Sequence, residues 1–277
     1  QPMTSFNKDV VIVFNGEIYN YLDLKKELEN KGYLFQTKSD TEVVLASYQE
    51  WGYQAFERFN GMFSFTIFDK KKNRLIVVRD HAGIKPLYYS FKNNSFIFCS
   101  EVRGFEVYDP NWQKNPNWDV LFLTFGFIPK PYTTLKDVLS LSKGSYLIID
   151  TLTEKFEKKR YKQFVFDSVI NNEKDAIKLV RSTVLESVSR NMISDAPLGI
   201  FLSGGIDSSL IALLADSMGY KDLTTLSVTF KERSFDESPY QKIIIDKMRP
   251  HRHIDHNVGA NDFIENIDDI FDAMDQP

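Results

Sequence analysis

Between two apolar runs the chain places Ser203-Gly204-Gly205-Ile206-Asp207-Ser208-Ser209. Before it, Leu198, Ile200, Phe201 and Leu202 predict a short buried strand. After it, Leu210, Ile211, Leu213 and Leu214 fall at helical spacing beside the helix-forming Ala212 and Ala215. The polar cluster therefore sits where a strand ends and a helix begins. The first amides of a helix have no carbonyl partner and the helix dipole is positive there, so an anion is favoured. The glycines let a ligand approach the main chain, and the serine hydroxyls add donors. The chemistry on offer is the binding of phosphate. A bare Gly-Gly-x-Asp fits an ordinary strand-to-helix turn with a Ser or Asp cap equally well. The full Ser-Gly-Gly-x-Asp-Ser string between apolar runs is more specific. No Gly-Lys-Ser/Thr follows, so it is not a Walker A loop.

The stretch VVIVFNGEIYNY, residues 10–21, is the second cluster. On its own, Asn15-Gly16 between apolar runs predicts a hairpin turn. On its own, Ser39-Asp40-Thr41-Glu42 predicts a capping box ahead of a helix. His251, His253 and His256 in HRHIDH have no cysteine or carboxylate support at ligand spacing, and predict a solvated strand rather than a metal site. Cys99, inside SFIFCSE, reads as a buried core residue.

These residues need elements to position them. NYLDLKKELENKGY predicts a helix with Leu24 and Leu28 on one face and Gly32 as its stop. SDTEVVLASYQEWG predicts another, with Val44, Leu45 and Tyr48 inward and Gly52 closing it. From Met62 the pattern turns to strands: MFSFTIFD, a solvated turn at Lys70 to Asn73, RLIVVRD, PLYYSF, an Asn-Asn turn and SFIFCSE. Their two partly apolar faces predict a sheet covered on both sides. FGFIPKPYTTL, with Pro129 and Pro131, predicts an extended connection, and GSYLIID and KFEKKRYKQF two further strands. A boundary is expected between Phe166 and Asn172. Beyond it a helix carries Ile177, Val180, Val184 and Val188 on one stripe, and strands and helices alternate as in a parallel α/β sheet. Such sheets bind ligands at the carboxyl ends of their strands, where Ser203 to Ser208 lies.

The chain has 277 residues, enough for two domains, and its 43% hydrophobic content supports buried cores. A formal charge of −4 and no basic stripe with interleaved aromatics argue against nucleic-acid binding. The apolar runs are too short for a membrane helix. One cysteine excludes an intramolecular disulfide framework and agrees with a reducing, cytoplasmic compartment.

Taken together and in order, QPM, FNGEIYN, SDTE, NGMFSFTIFD, RDHAGIKPLYY, GFIPKPYTTL, FLSGGIDSS and FDES resemble the glutamine-hydrolysing asparagine synthetases. The Ser-Gly-Gly-x-Asp-Ser loop itself resembles the pyrophosphate loop of ATP pyrophosphatases. The resemblance implies an α+β domain over residues 1–168, with antiparallel sheets layered with helices as in N-terminal-nucleophile hydrolases. It implies a second α/β domain over 169–277, with a parallel sheet like that of the adenine nucleotide alpha hydrolases. Both are expected to be incomplete. Asn15, through its side-chain amide, and Gly16, through its N–H, are implied as the oxyanion hole for glutamine hydrolysis. Glu17 and Asp40 are implied as partners of the substrate's α-ammonium group. Ser203, Gly204, Gly205, Asp207 and Ser208 are implied to cradle pyrophosphate, with Phe201 and Val228 near the adenosine and Mg²⁺ accompanying ATP.

The implied reaction releases ammonia from glutamine in the first domain. In the second, ATP adenylates a carboxylate, normally the aspartate side chain, and ammonia displaces AMP. Glutamine, ATP and the carboxylate are the implied partners, with a homodimer as a candidate assembly. The family's nucleophile is an N-terminal cysteine upstream of QPM, and its Ser-Gly-x-Gly-x-Asp-Glu segment follows FDAMDQP. The expectation is an internal segment that catalyses neither half-reaction, with Cys99 no substitute for the nucleophile. RDHAGIKPLYY is assigned to structure, with Ala82 where the family has a bulkier residue. Two alternatives stand beside this reading. One is a relative acting on a sugar carboxylate or forming a lactam. The other is a non-catalytic nucleotide- or glutamate-binding protein.

Overall fold

The computed structural model describes residues 1–92, 94–166, 169–220, 223–232, 234, 236–249 and 252–277. They form two compact units, one of Gln1–Val165 with Phe271–Pro277 and one of Phe166–Ile270. The expected division after residue 168 falls on Ser168, outside the described residues.

In the first unit, β1 (Met3–Thr4) and β2 (Val10–Ile18) lead to α1 (Tyr21–Asn30), α2 (Asp40–Trp51) and α3 (Ala55–Arg58). β3 (Gly61–Asp69), β4 (Arg74–Arg79), β5 (Tyr88–Lys92) and β6 (Ser95–Cys99) follow, then α4 (Arg103–Tyr108), α5 (Trp118–Phe125), β7 (Leu139–Ser140), β8 (Ser145–Asp150) and β9 (Phe156–Arg160). Six strands make one sheet in the order β1-β2-β3-β4-β8-β9, and three make another in the order β6-β5-β7, all antiparallel.

Alternation along the strands explains the layering. Ile76, Val78 and Tyr146 point to a core shared with Leu24 and Leu28 of α1, Val44 and Leu45 of α2, and Phe56 of α3. The intervening Val77, Leu147 and Ile149 point the other way and meet Tyr89 of the second sheet and Leu87 and Leu141, which flank its strands. The larger sheet is thus covered on both faces, as its two apolar faces predict. Phe56, fully buried, meets Phe65 and Tyr146 edge-on at centroid distances of 5.7 and 5.3 Å. Burying such a side chain contributes about 2–3 kcal/mol.

Several local expectations are corrected. Asn15-Gly16 makes no hairpin turn: β2 runs straight through it, paired with β3 from Val10↔Asp69 to Ile18↔Gly61. Glycine is needed because β3 passes so close. A Cβ on Gly16, at φ +153°, would lie 2.6 Å from Phe63 Cα and nearer still to the Met62 carbonyl oxygen. Ser39 does cap α2, accepting from Thr41 N at 3.2 Å, but no capping box closes. The Glu42 carboxylate turns to the preceding loop and accepts from the amides of Gln36 and Thr37 at 2.8 and 2.7 Å. Cys99 is half-buried rather than core.

The RDHAGIKPLYY turn is structural, as assigned. Asp80, fully buried, accepts from the amides of Ala82, Gly83, Ile84 and Lys85 at 2.6–3.0 Å. Arg79, also buried, donates to the carbonyls of Lys85, Gly83 and Leu141 and to Ser140 Oγ. Desolvation draws its guanidinium below the usual arginine range.

The second unit contains α6 (Glu173–Asn191), β10 (Gly199–Phe201), α7 (Ile206–Ser217), β11 (Thr224–Phe230), α8 (Ser238–Ile245) and β12 (Arg252–Val258). Its three strands are parallel in the order β10-β11-β12. Here too the burial differs from the apolar pattern. Ile177 and Val180 of the expected stripe are exposed and Val188 is buried. On α7 the buried face is Ser209, Ala212 and Ala215, whereas Leu210 and Ile211 are exposed. Small side chains let that helix lie close to the neighbours it covers. Phe201, expected in a buried strand, is 78% exposed on the edge strand β10, and Leu202 beside it is buried. Among the described residues no helix is long and apolar enough to cross a membrane.

Candidate functional site

The first candidate site lies along one edge of β2. The Phe14 amide and carbonyl both bond the Gln1 side chain, at 2.6 Å each. The Ile18 amide donates to Asp40 Oδ2 at 2.9 Å. Phe63, opposite Gly16, turns its own amide and carbonyl to Asp80 on the far side. In an antiparallel ladder the main-chain groups alternate in direction, so Gly16 shares the direction of Phe14 and Ile18, away from β3. Its N–H lies on this edge between two occupied positions, with no acceptor among the described residues.

Asn15 and Glu17, two apart on β2, stand on one face, both exposed. Asn15 Nδ2 donates to Ser100 Oγ at 3.2 Å. Beside it a cavity of about 180 Å³ is bordered by Val13, Ser64, Thr66, Phe98 and Cys99 among others. The charge on Glu17 is felt by Tyr19, whose phenol is pushed up first by burial and then by that carboxylate. Asp40 is not itself the cap of α2. It is the first helical residue after Ser39, and its carboxylate ties the helix start to the end of β2. The structure thus places Asn15, Gly16 and Glu17 on consecutive positions of β2, and fixes Asp40 against the next residue.

The second candidate site is the loop from β10 to α7. Gly205 is the N-cap residue of α7 and offers no side chain, so the helix start is uncapped. The Ser209 amide bonds Gly205 O, whereas those of Gly204, Ile206, Asp207 and Ser208 have no acceptor among the described residues. The Ser203 and Ser208 hydroxyls are 3.0 Å apart, and Ser203 Oγ also accepts from Gly205 N at 3.3 Å. These bonds close the loop around its amides. Gly204, at φ +84°, packs flat on α8: a Cβ there would lie 2.9 Å from Tyr240 Cβ. Ser203, Gly205 and Asp207 are exposed, with Asp207 in the first turn of α7. Phe201 and Val228 lie on the adjacent strands β10 and β11. The arrangement presents amide and hydroxyl donors at a positive helix end, which suits a polyphosphate.

Sequence reasoning gave no role to two polar side chains at and just before α8, the helix on which Gly204 packs. Asp236 accepts from the Ser238 amide and hydroxyl at 3.2 and 2.7 Å, and those bonds hold its carboxyl below the usual range. Gln241, buried on α8, donates to Val228 O at 3.2 Å. An Asp two residues before a Ser is a readable turn signal; a lone glutamine ahead of KIII is not. Phe235 of the FDES motif and His251 lie outside the described residues. His253 instead shares a hydrogen bond with Thr225 Oγ1 at 2.8 Å and lies 3.1 Å from Asp255. No group of three or more potential metal ligands occurs among the described residues.

A family model for the glutamine amidotransferase domain matches residues 1–162, and one for asparagine synthase matches 179–277. The chain belongs to the glutamine-hydrolysing asparagine synthetase family. It is 37% identical to a putative asparagine synthetase [glutamine-hydrolyzing] 2 of Methanocaldococcus jannaschii, over 97% of this chain and 52% of that protein. It is 39% identical to asparagine synthetase [glutamine-hydrolyzing] 1 of Bacillus subtilis, over 86% of this chain and 37% of that protein. The chain therefore spans about half or less of the curated relatives it matches. Among solved structures, a glutamine phosphoribosylpyrophosphate amidotransferase from B. subtilis aligns with a TM-score of 0.44 at 15% identity, over 92% of this chain and 73% of that one. The antiparallel α+β unit and the parallel α/β unit are the two architectures the family implies.

Proposed function

We propose that this chain carries the glutamine-binding and nucleotide-binding parts of a glutamine-dependent asparagine synthetase, divided near residues 168 and 169. Family membership and the names of its relatives support the reading. The observation that carries it is the loop at the start of α7, with its unpaired amides and its closed Ser203–Ser208 pair. In this reading those amides and the Ser203 and Ser208 hydroxyls hold the β- and γ-phosphates of ATP. Phe201 and Val228 flank the adenosine. Mg²⁺ needs only one or two carboxylates beside phosphate oxygens and water, and the exposed Asp207 at the loop fits that demand. The metal would neutralise charge on the leaving pyrophosphate.

The accepting carboxylate is that of aspartate, by the relatives' names, and adenylation at its side chain gives an acyl-adenylate that ammonia converts to asparagine and AMP. Ammonia comes from glutamine at β2. A carbonyl lying over the open edge on the Asn15 face meets the Gly16 N–H and the Asn15 amide together. Two such donors stabilise a tetrahedral oxyanion by a few kcal/mol each. Glu17 and Asp40 supply the negative charge that the substrate's α-ammonium group requires. Cys99, inside β6, has its amide in the peptide chain and so lacks the free α-amino group the family uses as base.

The test is calorimetric titration of the chain with Mg·ATP and with tripolyphosphate. Binding of both, lost together in Ser208→Ala combined with Gly204→Val, is the expected result. Failure of the unsubstituted chain to bind either ligand at millimolar concentration refutes the nucleotide reading.

A further inference from the structure

We infer that Gln241 is a positioning residue that couples the phosphate loop to the purine-reading edge of β11. The inference rests on the reading that the loop takes a nucleotide, and it assigns a role to a side chain outside the loop motif.

The main-chain directions on β11 carry the first half. Leu226 O accepts from Leu202 N at 2.7 Å, and Thr224 N donates to Leu198 O at 3.2 Å. Even-numbered residues of β11 therefore turn their amides and carbonyls toward β10. Val228 follows the same period, but by its level β10 has ended at Phe201 and the chain has turned into the loop. Both main-chain groups of Val228 thus open beside the loop instead of joining a ladder. The amide has no acceptor among the described residues. The carbonyl has one partner there, Gln241 Nε2 at 3.2 Å.

A carbonyl oxygen has two lone pairs, so one bond from Gln241 leaves a second free while fixing the peptide plane. What remains is an acceptor and a donor side by side on one strand edge. Adenine matches that pair with its N6 amino donor and a neighbouring ring-nitrogen acceptor. Guanine presents O6, an acceptor, where adenine has its donor. A fixed plane at Val228 therefore discriminates between the purines, and a free one does so less.

The second half is the contact with the loop. A Cβ on Gly204 would lie 3.1 Å from the Gln241 amide nitrogen and 3.4 Å from its Cγ. Gln241 thus touches the glycine that shapes the phosphate loop and, through its side-chain amide, the carbonyl at the purine edge. At 2% exposure it does not itself meet the ligand. Ser227 Oγ, which donates to Leu202 O at 2.7 Å, pins the end of β10 between them.

The experiment titrates the full chain and two variants, Gln241→Met and Gln241→Glu, with ATP, GTP and tripolyphosphate. Methionine keeps the length and apolar stem and removes the donor; glutamate sets a carboxylate against the Val228 carbonyl. Gln241→Met is expected to weaken ATP about tenfold, the loss of one hydrogen bond's orienting effect. Tripolyphosphate should stay within about twofold, and the preference for ATP over GTP should shrink by the same factor as ATP affinity. Gln241→Glu should lose more of the preference. Equal losses of ATP and tripolyphosphate would reduce Gln241 to a general structural role, and unchanged ATP affinity would remove it altogether; either overturns the inference. An unsubstituted chain that binds tripolyphosphate but shows no preference between ATP and GTP also overturns it. One that binds none of the three refutes the nucleotide reading first, and the inference with it.

Discussion

Gly16→Ala tests the account of β2 without reference to any ligand. The new Cβ would press into the Met62 carbonyl and sit 2.6 Å from Phe63 Cα, so β2 and β3 must separate at the centre of their ladder. Overpacking of this kind costs about 1–3 kcal/mol. The φ of +153° adds strain that alanine meets and glycine does not, about 1–3 kcal/mol more. The expected loss is about 2–6 kcal/mol, a large part of a domain's usual 5–15. Gly32→Ala is the control. Gly32 also has positive φ, at +91°, but nothing lies within 4 Å of its Cβ position, so only the backbone term of about 1–2 kcal/mol applies. All three tryptophans, Trp51, Trp112 and Trp118, lie in the first unit, so urea unfolding followed by tryptophan fluorescence reports that unit alone. A Gly16→Ala loss no larger than that of Gly32→Ala would refute the close approach of β3 as the reason for glycine.

Two further outcomes follow from side chains in the same unit. Asp69 is pushed up by burial, but the Lys72 ammonium and amide and the Tyr48 hydroxyl pull it further down, to a net position below the usual carboxylate range. A depressed folded pKa gives stability that is present above the unfolded value of about 4 and lost as pH falls through the folded one. The stability gap between the unsubstituted chain and Asp69→Asn should therefore be constant from about pH 7 to 5 and narrow below about pH 4; a gap that widens on acidification contradicts the assigned charge. Asp40→Ala leaves the buried Ile18 amide without its partner and should cost about 1–3 kcal/mol in the same urea assay. Asp40→Asn keeps an acceptor and should recover most of that stability while still weakening glutamine, measured by calorimetry; equal glutamine affinity in Asp40→Asn and the unsubstituted chain removes Asp40 from the ammonium site.

The secondary structure was legible where one local signal had no competitor. The two apolar faces of RLIVVR pointed to a sheet covered on both sides, and Val77 and Val78 do enter opposite cores, because period two is fixed by the pleat itself. Signals failed where a distant partner outbid a local one. Asn15-Gly16 favours a turn locally, but the ladder with β3 runs the whole length of β2 and overrides it. Glu42 had the right spacing to close a box with Ser39, yet the Gln36 and Thr37 amides take its carboxylate. The helix Trp118–Phe125 escaped notice because VLFLTF is apolar around most of its circumference and shows no single face. On α7 the leucines advertised burial and the alanines took it, since close packing selects small side chains at the contact.

The two sites differ in legibility for the same reason. The loop between β10 and α7 offers main-chain amides, and their directions are set within one turn by a strand end, two glycines and a helix start. That order is written in adjacent residues, so the proposed phosphate site was legible from spacing alone. The groups at β2 have no such local logic. Gly16 is required by Met62 and Phe63, its open amide is defined by what Gln1 and Asp40 do to Phe14 and Ile18, and Asp40 is held by a strand it does not adjoin in sequence. Only the resemblance to a family brought those residues together before the structure did. Gln241 is the limiting case, since Gly204, which it packs against, and Val228, which it bonds, are distant in sequence and neither contact alters the helical pattern of α8. Side chains that act by holding another residue's backbone leave no periodic trace, so they are found by asking which buried polar group has a main-chain partner at a site.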